Sequence, residues 1–203
     1  MAEAPTDASS PTDALAPAPA AIPESPRSER RRWALFLGLA GGVVLLDQLT
    51  KLWVNSNYER ASRSIPAGEP GGPTELLGEY VRIAVTYNDG AIFGLFETSA
   101  LLMAALTVIV IAAITWYEWR HAAGLGPLVT MGLGLLVGGA IGNLIDRLRY
   151  GHVIDFVDMG IGDTRWYAWN VADAAISISI IVLFAAALLG DRAPGRRPSA
   201  TPA

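Results

Sequence analysis

Cysteine is absent from this chain of 203 residues, and charged residues are scarce. Without cysteine there is no disulfide framework, no thiol nucleophile and no thiolate metal site. The formal net charge of −4 offers no broad basic surface, so nucleic-acid binding is not expected. Only 17% of the residues are charged and 52% are hydrophobic, with a mean hydropathy of +0.36. Because the apolar residues are concentrated in blocks, this composition indicates a membrane protein.

Histidine occurs only at His121 and His152, and the chain contains no H-E-x-x-H sequence. A zinc-dependent intramembrane protease is therefore not expected, and the sequence predicts neither a metal site nor a cofactor. His152 has the character of a polar loop residue rather than a ligand. No serine is accompanied by an evident base, which leaves carboxylates as the groups available for chemistry.

Four apolar segments each approach the ~20 residues that a helix needs to cross the ~30 Å hydrocarbon core of a bilayer. We predict membrane-spanning helices at residues 33–54, 101–119, 127–147 and 170–190. Small soluble proteins seldom contain four helices that are apolar on every side. The predicted fold class is therefore an all-α membrane protein.

Two tails flank the predicted membrane domain of residues 33–190. Residues 1–32 are rich in Ala, Pro and Ser and lack apolar periodicity, so they are predicted to be disordered. A secretory signal peptide is the alternative, but the leader is too long for an n-region and no cleavage site follows the apolar part cleanly. Residues 191–203 are predicted to form a second solvated tail.

The arginines favour an orientation with both termini in the cytoplasm. With four spans, both termini and the turn 120–127 share one side of the membrane, which carries eight arginines against six on the other side. The four arginines directly before the first span outweigh the two in the loop after it, and the positive-inside rule places them in the cytoplasm. These four are Arg27, Arg30, Arg31 and Arg32.

The connection 55–98 is too long for a plain loop and is predicted to lie outside the cytoplasm. Residues 80–87 are β-rich and partly alternating, which indicates a strand, and the turn signature Asn88–Gly90 follows them. We therefore predict a small β cradle on the extracytoplasmic face. The connection 148–169 is predicted to be a second outer loop.

Polar groups from separate segments converge at this outer end of the predicted bundle. Carboxylates at the ends of membrane-length segments are costly, and they mark functional sites more often than structural ones. The topology therefore predicts a polar site at the membrane–water boundary. Its carboxylate and amide members are Asp47, Asn88, Asn143, Asp146, Asp155 and Asp173.

Several of these polar residues also have a purely structural interpretation. Asp47 and Lys51 are four residues apart on one helix face, where they can form an interfacial ion pair or support the site. Arg147 can hold a carbonyl or carboxylate group, or anchor its helix at the interface. Asn170 and Asp173 occupy the N-cap and N3 positions of the fourth span, so capping is the alternative for both.

Asp155 and Asp173 form the predicted catalytic pair. Two nearby carboxylates share one proton, so their pKa values separate. The ionised member takes a proton from water, while the protonated member hydrogen-bonds the scissile carbonyl. Because a helix N-terminus favours negative charge, our hypothesis is that Asp173 is ionised and Asp155 is protonated.

Five short blocks lie in order at the predicted helix ends. They are Asp47–Lys51 (DQLTK), Asn88–Phe93 (NDGAIF), Gly142–Arg147 (GNLIDR), Gly151–Phe156 (GHVIDF) and Asn170–Asp173 (NVAD). Each block alone is a weak signal, but together they resemble the lipoprotein signal peptidase family, also called signal peptidase II. The resemblance covers roughly residues 33–190. It implies four membrane helices, a small extracytoplasmic β cradle and an aspartic dyad on the outer side.

The resemblance also implies an activity, its partners and a set of site residues. The expected enzyme is an aspartic endopeptidase of the bacterial cytoplasmic membrane that removes signal peptides from diacylglyceryl-modified prolipoproteins, cleaving before the lipidated cysteine. Membrane lipids are expected partners, and the cyclic peptide globomycin is an expected inhibitor. The catalytic roles fall on Asp155 and Asp173. Substrate positioning falls on Asn88, Gly90, Asn143, Arg147 and Asn170, and structural support on Asp47, Lys51 and Asp146.

Two other classes of function compete with a protease. A proton-coupled transporter would place its acids near mid-membrane and often repeats its helix architecture, whereas these acids crowd one face and no internal repeat is found. A non-catalytic membrane scaffold is the second alternative. Cleavage assays on variants of the two aspartates separate all three classes.

Overall fold

Four long helices and a four-stranded antiparallel sheet form the computed structural model, which describes residues 26–62, 64–89, 100–121 and 124–191. Each helix is long and apolar enough to cross a membrane, and the predicted fold class is confirmed. In chain order the elements are α1 (Pro26–Asn57), β1 (Thr74–Leu77), β2 (Val81–Asn88), α2 (Ala100–His121), α3 (Pro127–Tyr150), β3 (Val153–Ile161), β4 (Thr164–Arg165) and α4 (Val171–Leu189).

The first helix begins earlier than its apolar run. Residues 26–32, predicted from their composition to be disordered, form the first turns of α1, so the prediction is wrong for them. Arginine and glutamate favour helix, and Arg32 is held by an ion pair to the fully buried Glu118 of α2, with Nε 3.3 Å from Oε1. The rest of the two predicted tails, residues 1–25 and 192–203, lies outside the described residues.

Helix α3 packs closely against α1 on one face and α4 on another, because glycines line both faces. A Cβ atom added to Gly138 would lie 2.8 Å from the carbonyl oxygen of Ala40 in α1. One added to Gly139 would lie 2.5 Å from the carbonyl oxygen of Ala172 in α4. Small residues at these positions let the helix backbones approach each other, which is how membrane helices gain packing energy.

Replacing Gly139 by alanine should lower the free energy of unfolding by about 1–3 kcal/mol, because the new methyl group meets backbone rather than a flexible side chain. The matched control is Gly41→Ala in α1, where a Cβ atom meets nothing within 4 Å. Thermal unfolding in detergent micelles, followed by tryptophan fluorescence, measures both. Equal midpoints for the two variants would contradict the close α3–α4 contact.

The sheet lies at the end of the bundle where α1 and α3 end and α4 begins. Its strand order is β1-β2-β3-β4, and all neighbours are antiparallel. Strand β2 corresponds to the strand predicted at residues 80–87. Its inner face packs with Val54 of α1 and with Ile154 and Phe156 of β3 in one buried cluster. This cluster joins the sheet to the helices.

Strands β3 and β4 lie in the connection 148–169, so the prediction of a loop is wrong for residues 153–161 and 164–165. The run Val153–Val157 is β-branched and aromatic except for Asp155, and the carboxylate concealed the strand pattern. The burial of Asp155 is possible because partners from other elements satisfy its oxygen atoms. Strand β3 therefore carries a site residue into the interior.

Candidate active site

Asp155 of β3 and Asp173 in the first turn of α4 line one cleft of about 570 Å³. Asp155 is 2% exposed, and Asp173 is half-buried. Asn88 of β2 and Ser177 of α4 also line the cleft. The sheet and the fourth helix thus bring together the two carboxylates that the sequence singles out.

Asn170 contacts both carboxylates. Its side-chain Nδ2 donates to Asp155 Oδ1 at 2.7 Å, and its backbone N–H donates to Asp173 Oδ2 at 3.2 Å. The side-chain oxygen of Asn170 also accepts from the backbone N–H of Asp173 at 3.0 Å, which completes a capping box at the start of α4. The capping role predicted as an alternative is therefore real, and the same geometry links the two acids.

Two further asparagines supply additional donors. Asn88 Nδ2 donates to Asp155 Oδ2 at 3.0 Å, and Asn143 Nδ2 donates to Asp173 Oδ1 at 2.8 Å. Each of the four carboxylate oxygens therefore accepts an N–H group. Hydrogen bonds from three different elements fix the orientation of both carboxylates before any substrate arrives.

The environment of Asp155 favours its protonated form. Burial raises the pKa of Asp155 to about 7, and the nearby charge of Asp173 acts in the same direction. Hydrogen bonds from Asn88 and Asn170 oppose the rise because they stabilise the ionised form. Asp155 can therefore hold a proton at a pH where an exposed aspartate is ionised.

A buried ionic cluster lies beneath the two carboxylates. Lys51 Nζ is 2.9 Å from Asp47 Oδ2 and 2.8 Å from Asp146 Oδ2, and it donates to Asn143 Oδ1 at 3.2 Å. Lys51 is 2% exposed, so its amine does not extend to the membrane surface as an interfacial anchor does. Of the two interpretations of the Asp47–Lys51 pair, the geometry favours support of the site.

The same cluster fixes the backbone segments that carry the candidate catalytic residues. Asp47 Oδ1 accepts from the backbone N–H of Ala172 in α4 at 3.0 Å. Asp146 Oδ2 accepts from the backbone N–H of Ile154 in β3 at 3.1 Å. Lys51 thus pairs with two carboxylates. Asp47 binds the backbone of the residue before Asp173, and Asp146 binds the backbone of the residue before Asp155.

Two other predicted positioning residues have different outcomes. Arg147 is half-buried, and its guanidinium donates to the carbonyl oxygen of Asn143 at 3.4 Å, which places it beside the asparagine that contacts Asp173. Gly90 lies outside the described residues.

Comparison with known proteins assigns the family. The family model for signal peptidase (SPase) II matches residues 39–189. The chain belongs to the signal peptidase II family. It is 36% identical over 163 residues to the lipoprotein signal peptidase of Moorella thermoacetica, covering 80% of this chain and 99% of that protein. It is 40% identical over 160 residues to that of Syntrophomonas wolfei, covering 78% and 93%.

This chain is also similar to a solved structure that is described as a bacterial membrane enzyme. It has a TM-score of 0.64 and 25% sequence identity, and the match covers 82% of this chain and 94% of that one. A second structure of the same description has a TM-score of 0.63 and 26% identity. Together with the family assignment, these likenesses identify the chain as a membrane peptidase.

No role in the site is predicted from the sequence for four side chains that lie near it in the structure. Gln48 Nε2 donates to Asp146 Oδ1 at 3.1 Å, and its place in the DQLTK block was the available signal. His152 stacks on Tyr87 with ring centroids 4.3 Å apart, next to the strand position of Asn88. Trp166 and Trp169 line the cleft, but nothing in the local sequence indicates that role.

Proposed function

We propose that this protein removes signal peptides from bacterial prolipoproteins as an aspartic endopeptidase, and that it cleaves before a diacylglyceryl-modified cysteine. The observation that carries the proposal is the link through Asn170, which donates to both Asp155 and Asp173 within one cleft. Two carboxylates held side by side, one protonated and one ionised, form the machinery of aspartic proteolysis. The family assignment supports the choice of substrate.

In the proposed mechanism, Asp173 is the ionised member and acts as the general base. The N-terminus of α4 and the N–H donors from Asn143 and Asn170 favour its negative charge. Asp173 takes a proton from water, and the resulting hydroxide attacks the scissile carbonyl carbon. Asp155 donates its proton to the carbonyl oxygen. The C–N bond then breaks as the amide nitrogen receives a proton from Asp173, and the hydroxyl of the intermediate returns its proton to Asp155, which leaves an acid and an amine.

The lipid on the substrate suits a site at the membrane surface. A pair of acyl chains, at ~0.8 kcal/mol per buried CH₂ group, keeps the prolipoprotein in the bilayer. The cleft extends along α4 to Ser177 and Ile178, within a span that is apolar enough to cross the membrane. The scissile bond of a tethered substrate therefore reaches the carboxylates without leaving the interface. The asparagines and Arg147 are proposed to position that substrate.

The proposed orientation places both termini in the cytoplasm and the two carboxylates at the outer face of the cytoplasmic membrane. The basic residues before the first span support it. Among the described ones, Arg27, Arg30 and Arg31 are exposed on the first turns of α1, at the opposite end of the bundle from the sheet. Lipidated precursors exported through the membrane would meet the site from that outer side.

Cleavage of synthetic prolipopeptides tests the proposal. The purified protein in micelles should convert a peptide with a diacylglyceryl cysteine into a signal peptide with a free carboxyl end and a fragment that begins with the lipidated cysteine. Mass spectrometry identifies both products, and globomycin should block their formation. Equal cleavage of the peptide with an unmodified cysteine, or cleavage at another bond, would contradict the proposed specificity.

The pH dependence of cleavage is expected to reflect the titration of Asp155. Below a pH of about 7 Asp155 keeps its proton, and above it both carboxylates are ionised, so kcat should fall as the pH rises through about 7. Asn88→Ala removes a hydrogen bond that stabilises ionised Asp155. The pKa of Asp155 should therefore rise, and the falling limb of the kcat profile should lie at a higher pH than in the wild type. The measurement is the kcat profile of both proteins between pH 5 and pH 9. A falling limb that Asn88→Ala moves to lower pH would refute the assignment of the proton to Asp155.

A further inference from the structure

A second groove lies on the β3–β4 hairpin, beside the cleft that holds the two carboxylates. Its volume is about 680 Å³. We call it the hairpin groove; its walls include Met159, Ile161, Thr164, Arg165, Trp166 and Trp169. Neither Asp155 nor Asp173 lines it. The proposed mechanism therefore gives it no role.

The hairpin groove shares a wall with the carboxylate cleft. Trp166 and Trp169 line both. The backbone of Trp169 is fixed to β3, because its N–H donates to the Val157 carbonyl at 3.1 Å and its carbonyl accepts from the Val157 N–H at 2.9 Å. A chain bound in the cleft can therefore continue past a fixed wall into the groove.

The cleft and the hairpin groove form one path, and the surroundings of its two ends indicate the direction in which a substrate binds. At one end, the cleft reaches Ser177 and Ile178 on the membrane-spanning helix α4, where an apolar signal peptide fits. At the other end, beyond the tryptophans, the hairpin groove lies on the sheet. The segment that follows the scissile bond is therefore the part of the substrate that reaches the groove.

The chemistry of the hairpin groove favours an uncharged peptide. Met159, Ile161 and the tryptophan rings make it apolar, and Ile161 is 69% exposed. Among the described residues that line the groove, Arg165 is the only cation, and it is already paired, because its guanidinium lies 2.9 Å from Asp158 Oδ2. It also donates to the carbonyl oxygen of Glu79. The described lining therefore offers an acidic partner no available positive charge.

The position of β4 in the sheet favours a peptide over an acyl chain as the occupant of the groove. Strand β4 is the last strand of the described sheet, so one of its sides has no strand partner among the described residues. An extended peptide can pair with such an edge while alternate side chains enter a neighbouring groove. We propose that the hairpin groove binds the first residues of the mature segment in an extended conformation, with an apolar side chain against Ile161. This inference rests on the proposed function.

The test compares three lipidated substrates that are identical up to the modified cysteine. One continues with residues that include leucine and phenylalanine, one continues with lysine-containing residues, and one ends at the cysteine as an amide. Ile161→Glu introduces a negative charge into the groove without touching the cleft. We expect KM to rise about tenfold for the apolar substrate, to fall for the lysine substrate, and to stay unchanged for the truncated one.

Leu77→Glu is the matched control, because Leu77 is a similarly exposed apolar residue of the same sheet, at 68%, outside the hairpin groove. It should change none of the three KM values. Ile161→Ser is a milder second variant that should raise KM only for the apolar substrate.

Two outcomes would overturn this inference alone, and a third would overturn the proposed function as well. If Ile161→Glu raises KM for the truncated substrate as much as for the apolar one, the groove binds the acyl chains or only maintains the conformation of the hairpin. If it changes no KM value, the groove does not bind the mature segment. If the wild-type protein cleaves none of the three substrates, the proposed function fails and this inference fails with it.

Discussion

Replacing Asp173 by asparagine is expected to abolish cleavage, with kcat falling about a thousandfold or more. An asparagine keeps the size of the side chain and can still accept an N–H group from Asn143 or Asn170. It cannot accept a proton from water, so the proposed general base is lost. Asp155→Asn should have an effect of the same order, because it removes the proton that stabilises the developing charge on the carbonyl oxygen.

The measurement is the rate of cleavage of the lipidated peptide by each purified variant, with the unfolding midpoint as a check on folding. The control is Asp89→Asn, which changes a carboxylate next to Asn88 that is 82% exposed. That control should keep nearly full activity. In the proposed mechanism the two aspartates act as a unit, so the double variant should lose little more than either single variant. Wild-type rates in either single variant would reject an aspartic mechanism.

Replacing Lys51 by methionine is expected to destabilise the protein by about 3–5 kcal/mol, because two buried carboxylates then face each other without their cation. Asp47 and Asp146 hold the backbone beside Asp173 and Asp155, so activity should fall as well. The unfolding midpoint and the cleavage rate of the same preparation report the two effects separately.

The companion variant combines Lys51→Met with Asp47→Asn and Asp146→Asn. Neutral amides can still accept from the backbone N–H groups of Ala172 and Ile154, so this triple variant should recover much of the lost stability. A Lys51→Met variant as stable as the wild type would show that the cluster is not the support described above. Equal instability of the single and triple variants would show that charge is not the cause.

The sequence predicted the four spans and the convergence of the polar residues because membrane topology is a strong constraint. Every backbone polar group in a bilayer must be satisfied within the structure, so long apolar runs become helices with known ends. Asp47 and Asp173 are far apart in the chain, but Asp47 lies in the C-terminal half of α1 and Asp173 lies at the N-terminal end of α4, and these helix ends meet on the same side of the membrane domain. Their placement at one site therefore follows from the number of spans alone.

The details of the sheet and of the cleft wall do not follow from membrane topology. Strand β3 pairs with β2 across a long stretch of intervening sequence, and the buried Asp155 interrupts the alternation that marks a strand. The contact of Asp158 with Arg165 and the position of Trp166 depend on how the hairpin folds back on β3. Long-range register of this kind is set by tertiary packing, which local patterns do not contain. Tertiary packing also contributes to the early start of α1, since Glu118 of another helix fixes Arg32.

Lys51 is the only lysine in the chain, and its side chain is buried among acids. Apart from the α-amino group of the chain, an amine-directed reagent therefore has a single target, which it reaches only when the helices separate. The rate of acylation of that one amine would measure local opening at the base of the candidate active site. Ligands that close the cleft should slow this reaction, so a chemical label can report occupancy without any turnover.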